Sequence, residues 1–296
     1  MSDRGVVYDL GYVPHEGPRL GKPGAVRATI KDGVRRVLGL RRKARKKILP
    51  WLLFGIAVMP AIVFIGLAFF LSSFAPEAES PFGGHADYYG LAGTAMVVFT
   101  ALAAPELLIP DREEGVLAVY SSRPMRAHDY LLARGAALAI VIAGFLVLPQ
   151  LLMYVGFAAI DGDGFLSALL SEWRNLWKIS VTSAAFLVGY GGPALLVSVY
   201  AKRLAPATGT LLGVLIGSTG LASALAESGA FEGSRYAALL AILQHPFAIR
   251  DWAFGQTTSD MVVTNAGFGP LWSLAMIVLF AVVAAVLAVR RYRRLM

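Results

Sequence analysis

Chemistry in this 296-residue chain would have to come from few and scattered groups. The string "DGDG" at residues 161–164, with Glu172 at the twelfth position, opens like a calcium loop, in which alternating oxygens wrap a hard cation. Phe165 stands at an oxygen-ligand position and Leu166 where the turn needs glycine, so a Gly-rich turn between helices accounts for the string. Asp161, Asp163 and Glu172 could act as outer-face acids of a membrane-embedded hydrolase or glycosyl transferase, but nothing sets a nucleophile beside a base, and no catalytic residue is assigned. His15, His85, His128 and His245 lack the spacing of helical ligands, and there is no cysteine, so neither a metal site nor a disulfide is expected. In "GPRLGKP" the glycines Gly17 and Gly21 precede Lys22 one residue too closely for a phosphate-binding loop, and Pro23 replaces the Ser or Thr that would hold magnesium. The chain is therefore expected neither to hydrolyse ATP by that route nor to carry a cofactor of its own.

These groups are embedded in an apolar chain, 57% hydrophobic and 16% charged with mean hydropathy +0.63, which is outside the composition of soluble domains. A helix needs about 20 apolar residues to cross a bilayer, and residues 48–74, 89–109, 135–160, 179–200, 204–226 and 270–289 supply six such stretches. The expected fold is an all-α, multi-pass membrane domain over 48–296, preceded by a tail and a basic amphipathic helix within 1–47. In that helix Val26, Ile30, Val34, Val37 and Leu38 recur at helical spacing, with Arg27, Lys31, Arg35 and Arg36 on the other side and Arg41 and Arg42 following. Such a helix lies on a membrane surface or packs on a partner.

The charges alternate from loop to loop. Basic residues crowd the tail, the second loop (Arg112, Arg123, Arg126), the fourth loop (Lys202, Arg203) and the C-terminus, whereas Glu77, Glu79, Asp87, Asp161, Asp163, Glu172, Glu227 and Glu232 occupy the other loops. The positive-inside bias then places both termini in the cytoplasm. A net charge of +8 beside a membrane serves orientation and contact with anionic lipid, not nucleic acid. Inside the spans charge is nearly absent. Glu106 and Arg134 stand at inner ends and are expected to snorkel to the interface, so a proton or sodium relay is not indicated.

One segment, "PDREEGVLAVYSSRPMRAHDYLLARG" at 110–135, concentrates polar residues between two apolar runs. Pro110 is expected to stop the second span and Asp111 to cap a short helix over 112–121, with Glu114 completing a capping box and Glu113 beside it. Val116, Leu117, Val119 and Tyr120 form one apolar stripe before Arg123 and Pro124 end the helix. The stripe either folds back on the membrane or enters a groove on a soluble partner. Two further features stand out. Gly209, Gly213 and Gly217 are four apart on the fifth span, a spacing that lets helices approach closely, within one subunit or between two. The longest outer loop, 227–269, holds an apolar stretch broken by Pro246 and carrying Arg250, read as short helices at the outer interface.

The chain resembles the permease subunits of ABC exporters of the ABC-2 type. The likeness rests on the loop after the second span, where Asp111, Arg112, Glu114, Gly115, Leu117, Pro124 and Arg126 match an acidic and basic start, a Gly, a Leu, and a Pro with a nearby Arg, although Val116 replaces a frequent Thr. Pro246, Arg250 and Gly255 before the last span fit a second, looser pattern. The resemblance implies a subunit of a bacterial plasma membrane that pairs with a second copy or a paralogue. It also implies two cytoplasmic ATPase subunits, which bind ATP and magnesium and dock on the 110–130 loop. It implies export of an apolar or amphiphilic, drug-like compound, or alternatively of a lipid or lipid-linked glycan, with Gly213 near the permease interface. Met96, Phe99, Phe186 and Tyr190 are candidate cavity residues.

Overall fold

The computed structural model describes residues 20–40, 44–74, 84–121, 125–162, 164–229, 232–256 and 261–296, and among them there is helix but no strand. In chain order the elements are α1 (Gly21–Val37), α2 (Arg45–Phe74), α3 (His85–Glu113), α4 (Leu117–Ser121), α5 (Ala127–Ile160), α6 (Phe165–Ser171), α7 (Trp173–Tyr200), α8 (Leu204–Glu227), a 3-10 turn (Ser234–Leu240), α9 (His245–Phe254), α10 (Val262–Asn265) and α11 (Pro270–Tyr292). Six of them, α2, α3, α5, α7, α8 and α11, are long and apolar enough to cross a membrane.

The helices form because their apolar runs tolerate few breaks. Pro50, Pro60, Pro105, Pro110, Pro149 and Pro193 lie inside long helices. Each removes one backbone donor, and neighbouring helices in a membrane bundle absorb that loss. Several helices extend beyond the apolar runs: α3 starts at His85 rather than 89, α5 at Ala127 rather than 135, and α7 at Trp173 rather than 179. Hydropathy marks the hydrocarbon layer, whereas a helix continues into polar turns until a cap stops it.

The core is centred on α3, whose most apolar window is 78% buried, against 17% for α8. Phe99 of α3 stacks on Phe145 of α5 at 4.5 Å between centroids, and Tyr89 of α3 on Phe186 of α7 at 5.3 Å. The outer helices turn large apolar side chains outward, including Ile56, Met59, Ile62, Phe69 and Phe70 on α2 and Leu271, Val278 and Val282 on α11. In water such a belt would be an aggregation surface, and in hydrocarbon it is the expected exterior.

Two elements outside the spans are built into the bundle. Helix α1 packs on α5 and α3 at Gly33, where a Cβ would lie 2.6 Å from Ala137 Cβ, so only glycine admits this approach. Helix α9 packs on α7, α11 and α3, with its Phe247 ring over Gly93 and its Pro246 over Gly189. The Tyr190 hydroxyl donates to the Leu243 carbonyl at 2.9 Å just before α9. The segment expected on the outer interface is thus partly interior: Pro246 opens α9, Arg250 lies over the Phe247 ring at 5.1 Å, and Gly255 at φ +69° closes the helix.

Helix α1, the end of α3, the start of α5 and the end of α11 meet at one end of the bundle, since Arg36 reaches Asp111 and Tyr130 stacks on Tyr292. Arg112, Lys202, Arg203, Arg290 and Arg291 belong to these turns, and this end is called basic below. Asp87, Asp161, Glu172 and Glu227 flank the opposite, acidic end.

Candidate coupling site

The basic end is organised by one carboxylate. Helix α3 does not stop at Pro110; it runs on to Glu113 and ends because Gly115 adopts φ +67°. The Val116 N–H then donates to the Asp111 carbonyl at 3.0 Å and the Gly115 N–H to the Arg112 carbonyl at 3.3 Å, the double bond of a glycine-terminated helix end. Asp111 is consequently no cap of a following helix. It sits in the last turn of a long one, fully buried, facing the bundle.

Asp111 Oδ1 accepts from Arg36 Nη1 at 2.7 Å. Its Oδ2 accepts from Arg134 Nη2 at 2.6 Å and from the Tyr130 hydroxyl at 2.7 Å. Arg134 has no exposure and spreads its fork further, donating from Nη1 to Asp32 Oδ2 at 3.0 Å and from Nη2 to the Tyr120 hydroxyl at 3.3 Å. Its guanidinium lies over the Tyr130 ring at 5.6 Å, and that ring stacks on Tyr292 at 5.5 Å. Burial pushes the Tyr120 pKa up, so its hydroxyl stays protonated at neutral pH. Arg112, the next residue, points the other way: it donates to the carbonyls of Val199, Ser198 and Ala201, the last at 2.7 Å, at the C-terminal end of α7. Those carbonyls have no partner within α7 and carry the negative end of its dipole. Two neighbouring residues thereby tie the end of α3 to α1, α5 and α7, with α11 held through Tyr292.

Arg134 is therefore not a snorkelling interfacial residue, because Asp111 supplies a partner that makes burial tolerable. Arg36 likewise faces inward and not toward a membrane surface; Arg27 and Lys31 are exposed, Arg35 is half-buried, and Arg41 and Arg42 lie outside the described residues. Asp32, Tyr130 and Tyr292 carried no sequence signal beyond the i, i+4 spacings of Asp32 with Arg36 and of Tyr130 with Arg134, because their other partners are remote in the chain.

The connecting helix is shorter than expected, Leu117–Ser121 rather than 112–121, since the first residues belong to α3. Its stripe does not need a foreign groove. Leu117 is buried in this chain's own core, Val116 and Tyr120 are half-buried, and Tyr120 packs on Tyr130 at 5.2 Å. What faces outward is Glu113, Glu114, Gly115, Ala118 and Val119. Arg123 and Pro124 lie outside the described residues. Arg126 precedes α5, where its N–H donates to Asp129 Oδ2 at 3.0 Å, and Asp129 pairs with Lys22 Nζ at 2.8 Å, fastening the start of α1 as well.

The remaining candidates separate. An added Cβ on Gly209, Gly213 or Gly217 would meet nothing within 4 Å, so this face of α8 packs on no other part of the described chain. Met96, Phe186 and Tyr190 are fully buried among packed side chains of this chain. Phe99 alone of that set borders a recess, of about 310 Å³, beside Leu53, Glu106 and Leu204. At the acidic end Asp87, Asp161 and Glu172 border a recess of about 440 Å³ together with His85, which is bonded to Gln150 at 2.5 Å. Asp163 lies outside the described residues, and among the described residues no group of three His, Cys, Asp or Glu side chains could hold a metal ion.

His245, buried before α11, makes a pH prediction possible. Its Nε2 lies 3.0 Å from the Leu239 carbonyl and its Nδ1 3.2 Å from the Ser273 hydroxyl, an arrangement served by the neutral ring. Burial pushes its pKa below the ordinary 6.5. The unfolded chain then binds the proton first as pH falls, so stability is complete above 6.5 and declines below it toward the lowered folded value. Limited proteolysis of residues 232–256 is expected to accelerate between pH 7.5 and 5.5 in wild type, and much less so in His245→Gln.

No family model matches the chain, and no curated protein matches it.

Proposed function

We propose that the chain is the membrane-spanning permease subunit of an ATP-driven exporter of the ABC-2 type, set in a bacterial plasma membrane with both termini in the cytoplasm. The observation that carries the reading is the Asp111–Arg134 joint. It ties the end of α3, beside the exposed Glu113, Glu114, Ala118 and Val119, to α1 and α5, and Arg112 ties the same end to α7, so that a push on those exposed residues would be delivered to the bundle. Among the described residues the linked charges Arg36, Asp111, Arg134 and Asp32 are gathered at the basic end and do not run the length of the spans, which favours work that enters from outside over an ion relay. Two cytoplasmic ATPases, holding ATP and magnesium, supply it at Glu113, Glu114, Ala118 and Val119.

The unpacked glycine face of α8 supports a second permease, identical or related, whose helix approaches at Gly213. Because Met96, Phe186 and Tyr190 are shut inside one subunit, the path for an apolar or amphiphilic compound runs between the two permeases. A lipid or lipid-linked glycan would use the same path.

Glu114→Arg and Val119→Asp change exposed positions and leave the buried joint intact. Each is expected to reduce retention of the ATPase on the purified permease by about tenfold, the effect of ~1.4 kcal/mol at an interface, with unchanged membrane insertion. Wild-type retention and ATPase stimulation in both variants would overturn the docking role. A membrane-embedded enzyme is a second reading, favoured by the shared recess of Asp87, Asp161 and Glu172. Turnover of a lipid substrate by the isolated chain, lost in Glu172→Gln, would select it.

A further inference from the structure

A groove of about 700 Å³ runs between α5, α7 and α11. It is separate from the joint, from the glycine face of α8 and from the acidic recess. Its walls are aliphatic or glycine throughout except at one end, where His128 stands. Leu132 on its rim is 69% exposed, so the groove opens sideways, into what would be hydrocarbon.

Its length and its ends define the occupant. Along α7 the lining extends from Leu187 to Val199, which at 1.5 Å per residue is about 18 Å, close to half of a ~30 Å hydrocarbon core. The groove therefore has the depth of one leaflet. It begins at the basic end, where His128 opens α5 and Val289 leads directly into Arg290 and Arg291. Arg290 is exposed there, and Arg291 lies 5.7 Å from the Tyr200 ring, lining the neighbouring recess of that end with Glu113. Asp129, next to His128 in the chain, is paired with Lys22 and lies 3.2 Å from the His128 ring. An apolar slot one leaflet deep that starts among the basic residues of that end fits one molecule class: a phospholipid with an anionic headgroup, its acyl chain lying along Ala136, Leu195 and Ala285. We propose that this groove is a specific anionic-phospholipid site in the leaflet at the basic end. The proposal rests on membrane embedding and not on transport or on the ATPase.

The test uses the full chain in phosphatidylcholine vesicles doped with phosphatidylglycerol or phosphatidylcholine carrying a nitroxide near the acyl end. The immobilised spin component is expected to show about fivefold preference for phosphatidylglycerol, the effect of ~1 kcal/mol from one basic residue at the headgroup. Arg290→Gln combined with Arg291→Gln is expected to reduce that preference toward parity. Ala285→Phe and Ala136→Phe fill the slot from opposite walls and are expected to remove the specific component, and two variants guard against one that misfolds. Equal immobilisation of both lipids, or an unchanged component in both Phe variants, would overturn the proposal. So would near-complete disulfide dimerisation of Ala285→Cys, a clean reporter in a chain without cysteine, which would give the groove to a second copy.

Discussion

Arg134→Met is expected to destabilise the chain by about 3–5 kcal/mol, the cost of leaving one member of a buried pair without its partner. Asp111 would keep Arg36 and the Tyr130 hydroxyl, but Arg36 is the more exposed partner, and the carboxylate would remain fully buried without the guanidinium. The loss should appear as a smaller monodisperse fraction after heating in detergent. The double variant Asp111→Leu with Arg134→Met removes both charges and is expected to recover most of the stability, since apolar replacement of a buried pair is often neutral. The pair forms a double-mutant cycle, and a large coupling energy is the signature of the joint. A single variant within about 1 kcal/mol of wild type would mean that the pair is solvated like a surface bridge and clamps nothing.

Gly33→Leu is expected to lift α1 from the bundle. Even a Cβ at this position would sit 2.6 Å from Ala137 Cβ, 3.0 Å from Leu107 Cδ2 and 3.2 Å from Arg134 Nη1. The first two neighbours are held in the core, so the helix has to move. Overpacking typically costs about 1–3 kcal/mol, and here the displacement also parts Asp32 from Arg134 and Arg36 from Asp111. Trypsin cleavage at Arg27, Lys31 and Arg35 should accelerate, while Ala28→Leu on the exposed side of the same helix leaves it unchanged. Equal cleavage of Gly33→Leu and wild type would show that α1 is not docked through this contact.

Joint and groove lie at the same end but respond to different changes. Filling the groove at Ala285 leaves every partner of Asp111 in place, whereas breaking the Arg134 pair leaves the groove walls in place. Lipid preference and thermal stability therefore report separately on the two.

Much of the architecture was legible from local pattern. Apolar runs announced the six helices that are long and apolar enough to cross a membrane, because a long apolar stretch is a local property that no distant contact alters. The amphipathic period announced α1, and Gly115 was noticed as part of a motif before φ +67° explained it as the residue that ends α3. What failed were inferences about partners. Pro110 was read as a stop although a proline removes only one donor near a helix end. The stripe around Leu117 leaves open whether it folds back or enters a partner, and the structure buries Leu117 in the chain's own core.

The deepest case is Arg134. Composition fixed that a charge lay near the start of the third span, and on its own such a charge belongs in the interface. Only the tertiary structure brings Asp111 and Asp32 to it, from positions 23 and 102 residues away in the chain, whereas Tyr130 stands one helical turn back on α5. Helical periodicity is a property of neighbours a few residues apart, and the cost of burying a charge is settled by whatever else is folded against it.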